Sequence, residues 1–327
     1  MNFNSCKRVS FPSSSGVRLL VVASLILAAV LCRAQTSILR AEVNLVNVTF
    51  GARSSDGEPV FDLTPAEVQI LEDNVPQKIK FFSRTSDLPL TLGLIVDASD
   101  SQQSFFKKHH SDVEKFLKDV LGPKDQAFLV CFGNQIGLIS DLTSSASQIM
   151  ESYESLEHGD GKFPALGPPE RRVEGTALFD AIIYATRERL ASPGPARRAL
   201  IVFSDGEDNS SAYTEMDAIA TLQSADVMVY SIRYTEQKKG RPTSRDKYGM
   251  RIMQRLARDT GAAEFDATAN PDMDRAFRQI GTELRSLYEV AYHATNAVRD
   301  GTFRKLAVRT NRSGLTIWAK AGYFAEP

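Results

Sequence analysis

The chain has 327 residues, 43% hydrophobic and 24% charged, the range of a soluble globular protein with room for one large domain and smaller additions. Lys and Arg number 39 against 40 Asp and Glu, so no global charge draws the chain to nucleic acid or an anionic membrane over long range, and no nucleic-acid partner is expected. Partner choice must be local.

Lys7, Arg8 and Arg18 precede an apolar run over 19–31, followed by Cys32-Arg33-Ala34-Gln35, which is the layout of a secretory signal. We expect residues 1–34 to be a signal peptide cleaved after Ala34, and the mature chain to be exported, periplasmic or secreted. The run is shorter than the about 20 apolar residues a bilayer span needs, so a membrane span is expected only if the signal stays uncleaved. Leu31 is too bulky for the small residue that precedes a lipoprotein cysteine. Of the three cysteines, Cys6 and Cys32 lie in that segment. Cys131 stands alone within an apolar run, with no basic neighbour, and reads as a small buried hydrophobe.

Residues 41–86 form an N-terminal β segment: VNLVNVTF, a turn at Ser55-Asp56-Gly57, VQILEDN and KIKFFS are short and rich in β-branched or aromatic residues. Over 87–287 the pattern changes. Apolar runs at 90–96, 126–132, 198–204, 227–234 and 263–267 read as strands buried on both faces. IGLISDL, reached through Gly133-Asn134, reads as an antiparallel edge strand. Helical periodicity falls at 105–121, 146–156, 178–190, 217–224, 249–259 and 272–287. This alternation predicts an α/β fold with a doubly wound, mostly parallel sheet, Rossmann-like, beside a small flanking β module. Residues 288–327 supply three more strands, YEVAYHAT, FRKLAVRTN and LTIWAKAGYF, expected to pack with 41–86. Two stretches rich in Gly, Pro and charge, 158–174 and 236–248, read as loops.

In such a sheet ligands bind beyond the carboxyl ends of the strands. There stand Asp97-Ala98-Ser99-Asp100-Ser101, Asp205-Gly206-Glu207-Asp208-Asn209 and, at a helix start, Glu174-Gly175-Thr176. Taken singly, each has another explanation: Asp97, Ser99 and Ser101 as a strand end and helix cap, Thr176 as an N-cap, Asp205-Gly206 as a turn. Together they offer carboxylates and hydroxyls without imidazole or thiolate, the ligand set of a hard cation such as Mg²⁺, with Mn²⁺ or Ca²⁺ as alternatives. A site of so little negative charge leaves the ion electrophilic and open to an acidic group from a partner. Glu207 and Asp208 read as solvated loop carboxylates that could tune the bound ion. His109 and His110 read as surface or boundary residues, and Arg171-Arg172 as a solvated pair.

The D-x-S-x-S pattern followed by a distant Thr and a distant Asp resembles the metal-ion-dependent adhesion site (MIDAS) of the von Willebrand factor A (VWA) domain, over roughly 88–287. The resemblance implies that Ser99 and Ser101 bind the metal directly, Thr176 directly or through water, and Asp97 and Asp205 largely through water. The flanks, with LTPAEVQILEDNVPQKIKFF before and DGTFRKLAVRT after, are similar to a group of exported bacterial proteins related to this domain. The implied function is metal-dependent protein binding or adhesion, the partner presenting an acidic residue, without catalysis. A metal-assisted phosphoryl transferase or hydrolase is the alternative, because Asp97 sits where aspartyl nucleophiles sit in some α/β phosphotransferases. Those enzymes usually carry a second Asp where this chain has Ser99, and no GxSxG elbow, P-loop or GxGxxG fingerprint is present. A scaffold with a stabilising metal and function in the β flanks is the third class.

Overall fold

The computed structural model describes residues 45–84, 88–159, 161–168, 175–191, 196–235, 242–270 and 272–325. The signal segment 1–34 and Arg171-Arg172 lie outside the described residues. Among those residues no helix is long and apolar enough to cross a membrane.

The chain begins with β1 (Leu45–Ser54), β2 (Val68–Glu72), β3 (Val75–Gln77) and β4 (Ile79–Arg84), then enters the α/β layer through β5 (Leu90–Asp97). A 3₁₀ turn, Asp100–Phe105, leads into α1 (Phe106–Val120), followed by β6 (Gln126–Phe132), β7 (Ile136–Thr143) and α2 (Ala146–His158). Next come α3 (Leu178–Ala185) with a π turn at Thr186–Leu190, β8 (Arg197–Ser204), α4 (Glu215–Ser224) and β9 (Val227–Arg233). The layer closes with α5 (Ser244–Thr260), β10 (Glu264–Asp266) and α6 (Asp274–Arg285). Four strands end the chain: β11 (Tyr288–His293), β12 (Phe303–Thr310), β13 (Leu315–Ala319) and β14 (Gly322–Phe324).

The six-stranded sheet has the order β10-β9-β8-β5-β6-β7, all parallel except β7, which runs antiparallel to β6. Its strands alternate between two apolar layers, as the two-residue period of a strand requires. Leu92, Leu94, Ile201, Phe203 and Tyr230 face α1, α2 and α6, whereas Ile95, Val130, Leu200, Val202 and Val229 face α3, α4 and α5. Parallel strands need both faces covered because neither is polar. Ile201 is wholly buried, so Ile201→Ala is expected to cost about 2–5 kcal/mol, read as a lower urea midpoint at unchanged slope.

The chain leaves β5 toward β6 on one side and returns to β8 on the other, so the order reverses between β5 and β8. That switch opens a crevice at the carboxyl ends of these two strands, where connecting helices depart to opposite faces.

The first and last strands of the described chain interleave. One sheet has the order β13-β1-β11-β4 and a second β14-β12-β2-β3, and they share a core of Val48, Phe50, Ile70, Tyr288, Tyr292 and Leu306. The flanking module is thus built of two sheets, and LTIWAKAGYF is two strands rather than one. The break follows from Ala321, whose N–H donates to Asp259 O at 3.1 Å, turning the chain before it joins β12 in the other sheet. Inside the module the buried carboxylate of Glu72 accepts the hydroxyls of Tyr292 and Tyr323, the latter at 2.8 Å.

One loop expectation is also corrected. Residues 244–248 are the first turns of α5, because Thr243 caps the helix and Asp246 bonds back to the Thr243 N–H. The described residues 161–168 are a loop, as expected, in which Leu138 N donates to Pro164 O and Leu166 N to Ile136 O, so that 164–166 lie along the free edge of β7.

Candidate metal centre

Asp97 ends β5 and is fully buried. Its Oδ1 accepts the Ser99 N–H at 3.0 Å, folding D-x-S back on itself, and its Oδ2 accepts the Ser204 hydroxyl at 2.6 Å. Ser99 and Ser101 Oγ atoms lie 3.2 Å apart, and Ser101 Oγ donates to Asp205 Oδ2 at 2.8 Å. Asp205, just past the end of β8, takes the Glu207 N–H on its other oxygen at 2.9 Å. Gly206 N donates to Ser204 Oγ at 2.9 Å, closing a ring of bonds through both strand ends.

Thr176 reaches the same place by its backbone. Its N–H donates to Asn209 Oδ1 at 2.8 Å, and its carbonyl accepts Asn209 N and Ser210 N at 3.1 and 3.2 Å. Gly175 makes the approach possible: it adopts φ +119°, and a Cβ there would lie 2.6 Å from Asn209 Oδ1. Asp97, Ser99, Ser101 and Asp205 are thus linked directly or through Ser204, and Thr176 joins them through the Asn209 loop.

The capping alternatives find no support in these bonds. Ser99 stands at the start of the 3₁₀ turn with no side-chain cap bond, and the residue capping α3 is Ala177 rather than Thr176. Thr176 is only 5% exposed, and it is the backbone of this residue that bonds to Asn209. The α3 N-terminus is held instead by Asp208, whose Oδ2 accepts Phe179 N at 3.2 Å. Asp208 is therefore no solvated loop carboxylate, and burial pushes its carboxyl above the usual range. Asp208→Ala is expected to cost about 1–2 kcal/mol as a lost helix cap while leaving the number of bound ions unchanged, measured by thermal melting and metal titration.

Glu207 is also buried rather than solvated, paired with Arg245 from the first turn of α5. Burial and the Asp205 charge both push its carboxyl upward, and Arg245 opposes them. His109 is wholly buried rather than at the surface. It shares the inward stripe of α1 with Val113, Phe116, Leu117 and Val120, and its ring lies 4.3 Å from that of Tyr234. Burial lowers it to about 3, so it is a neutral ring behind the site. His110 faces Tyr153 at 5.4 Å. Cys131 is buried, and burial pushes its thiol up, away from nucleophilic chemistry.

Electrostatics favour a cation here. Burial, reinforced by the Asp205 charge, raises Asp97 to about 7, against the opposing bonds from Ser204 and Ser99. Among the described residues no Lys or Arg bonds to Asp97 or Asp205. Two neighbouring carboxylates buried without a counter-charge, flanked by three hydroxyls, fit a hard divalent ion better than any neutral ligand. Among the described residues no group of three His, Cys, Asp or Glu side chains is placed to hold a metal, so any ion here would rest on the hydroxyls as well as the two carboxylates.

Sequence reasoning passed over Ser204, Gln102 and Asn209. Ser204 and Asn209 flank the Asp205 turn, and Gln102 follows the second motif serine, so adjacency was the only signal for them.

No family model and no curated protein matches the chain. Solved structures do: an aerotolerance-related membrane protein from Bacteroides fragilis is 17% identical, covering 60% of this chain and 98% of its own, at a TM-score of 0.45. BatB from Bacteroides thetaiotaomicron is 18% identical over 60% of this chain and 100% of its own, at 0.44. Proximal thread matrix protein 1 from the mussel byssus, with a zinc-occupied MIDAS motif, is 12% identical over 65% of this chain and 49% of its own, at 0.45. In its own topology, with helices on both faces of a sheet antiparallel only at β7 and the D-x-S-x-S, Thr and Asp elements at the β5/β8 switch, the α/β layer of this chain has the doubly wound arrangement that the resemblance to the VWA domain implies.

Proposed function

We propose that this chain is an exported, non-enzymatic binding protein whose VWA-like domain holds one divalent cation, Mg²⁺ with Mn²⁺ or Ca²⁺ as alternatives, through Asp97, Ser99, Ser101, Thr176 and Asp205. An acidic side chain of a protein partner completes the coordination. The observation that carries the proposal is buried Asp97 within the electrostatic reach of Asp205, with no Lys or Arg bonded to either among the described residues, beside the Ser99 and Ser101 hydroxyls. A cation supplies the missing positive charge. Its affinity for a further oxygen ligand then makes binding of an acidic group dependent on the metal.

The protein's own contribution is orientation. Ser204 fixes Asp97, Asp205 turns the Ser101 hydroxyl hydrogen toward itself, and Asn209 clamps the Thr176 backbone. The Mg²⁺ and Mn²⁺ dependence of binding to immobilised peptides carrying a central Glu, Gln or Asp tests the proposal. Retention of the Glu and Asp peptides that EDTA abolishes supports it, and equal retention of the Gln peptide contradicts it.

A further inference from the structure

Gln102 follows the second motif serine, and its side chain is 1% exposed at the rear wall of the site. A glutamine in such a position would ordinarily be replaced by an apolar residue, because a buried amide left partly unbonded is costly. Here Nε2 donates to Asp205 Oδ2 at 2.7 Å and to Tyr234 O at 3.4 Å, while Oε1 is buried without a partner. The amide orientation is not arbitrary, since the flipped rotamer would set Oε1 against the Asp205 carboxylate. Half of the hydrogen-bonding capacity of the side chain is thus forgone so that the other half reaches Asp205.

Asp205 Oδ2 accepts two donors from successive residues, Ser101 Oγ and Gln102 Nε2. The second bond ties the end of β8 both to the loop after β5 and to the carbonyl that follows β9. We propose that Gln102 is a positioning residue of the metal centre: by holding the Asp205 carboxylate toward Ser101, it sets the spacing between the two halves of the ligand set. This rests on the metal-binding function proposed above. Gln102 acts on the site through Asp205, because the group it presents there is the Nε2 donor, which has no lone pair to offer a cation.

The test is Mn²⁺ titration calorimetry at pH 8 on the full chain, comparing wild type, Gln102→Met and Gln102→His, with the melting temperature of each metal-free protein. Gln102→Met keeps the volume and removes the donor. It is expected to bind one ion about 10- to 100-fold more weakly, with metal-free melting little changed. Gln102→His, neutral at that pH, returns an N–H at similar reach and is expected to recover part of the loss. Should Gln102→Met not fold, Gln102→Asn, too short to reach Asp205, takes its place with the same expected loss. A Met or Asn variant with wild-type affinity overturns the positioning role, and so does a His variant as weak as the Met variant. A wild type that takes up no ion overturns the metal centre itself, a separate result from the loss of this role alone.

Discussion

Asp97→Asn is expected to stabilise the metal-free protein at pH 8 by about 2 kcal/mol while removing its capacity to hold a cation. Burial, with the Asp205 charge added, raises Asp97 from an ordinary 3.8 to about 7. Between those values the folded chain retains a proton that the unfolded chain has released. Metal-free wild type therefore loses stability as pH rises through this window, by up to about 4 kcal/mol in total. Asparagine carries no charge to bury, so that penalty disappears. It also reverses one hydrogen bond, because Ser204 donates to Asp97 at 2.6 Å and would lose its acceptor, returning about 1–2 kcal/mol of the gain. Urea midpoints at pH 5 and pH 8 in EDTA check both points: the wild type should fall between the two and the variant should not. Saturating Mg²⁺ should flatten the wild-type slope and leave the variant unmoved.

Gly249→Ala carries the second large effect, through backbone contact alone. Gly249 lies in α5 where that helix crosses the Asp205-Gly206 turn, and a Cβ on it would stand 2.2 Å from Asp205 O. The reciprocal Cβ on Gly206 would stand 2.3 Å from Gly249 O, at a φ of +83° that disfavours any side chain. Neither neighbour is a flexible side chain that can move aside. The helix and the turn must separate, at an expected cost of about 3 kcal/mol, and the displaced Asp205 should weaken Mn²⁺ binding in the same protein. Gly57→Ala is the control: φ is +84° there, but nothing lies within 4 Å of the added carbon, so only the backbone strain of about 1 kcal/mol is expected and metal affinity should not change. Equal losses in the two variants would show that the contact between α5 and the turn is looser than described.

The sheet is legible in the sequence because its strands are buried on both faces. Runs such as LTLGLIV and RALIVFS have no polar face to offer, and Gly133-Asn134 marks the reversal into β7. The oxygen-rich residues of the site stand immediately after such runs, so their common edge follows from strand direction. What sequence could not show lies in the long-range bonds. Glu207 and Asp208 read as solvent-facing because both are charged and sit in a turn, yet Arg245 pairs with the buried Glu207 and the α3 N-terminus bonds to the half-buried Asp208, both partners distant in sequence. His109 was misplaced because an adjacent pair of histidines hides that only one of them shares the stripe of Val113 and Phe116. The change of sheet between β13 and β14 is likewise decided by a tertiary contact, against a local pattern that continues smoothly through it.

The most direct measurement is Mg²⁺ and Mn²⁺ titration calorimetry on the full chain, with Asp97→Ala and Ser99→Ala/Ser101→Ala alongside the wild type. One ion bound by the wild type and lost by both variants is the predicted result. No uptake by the wild type, or uptake that both variants retain, would contradict a metal centre at the β5/β8 switch.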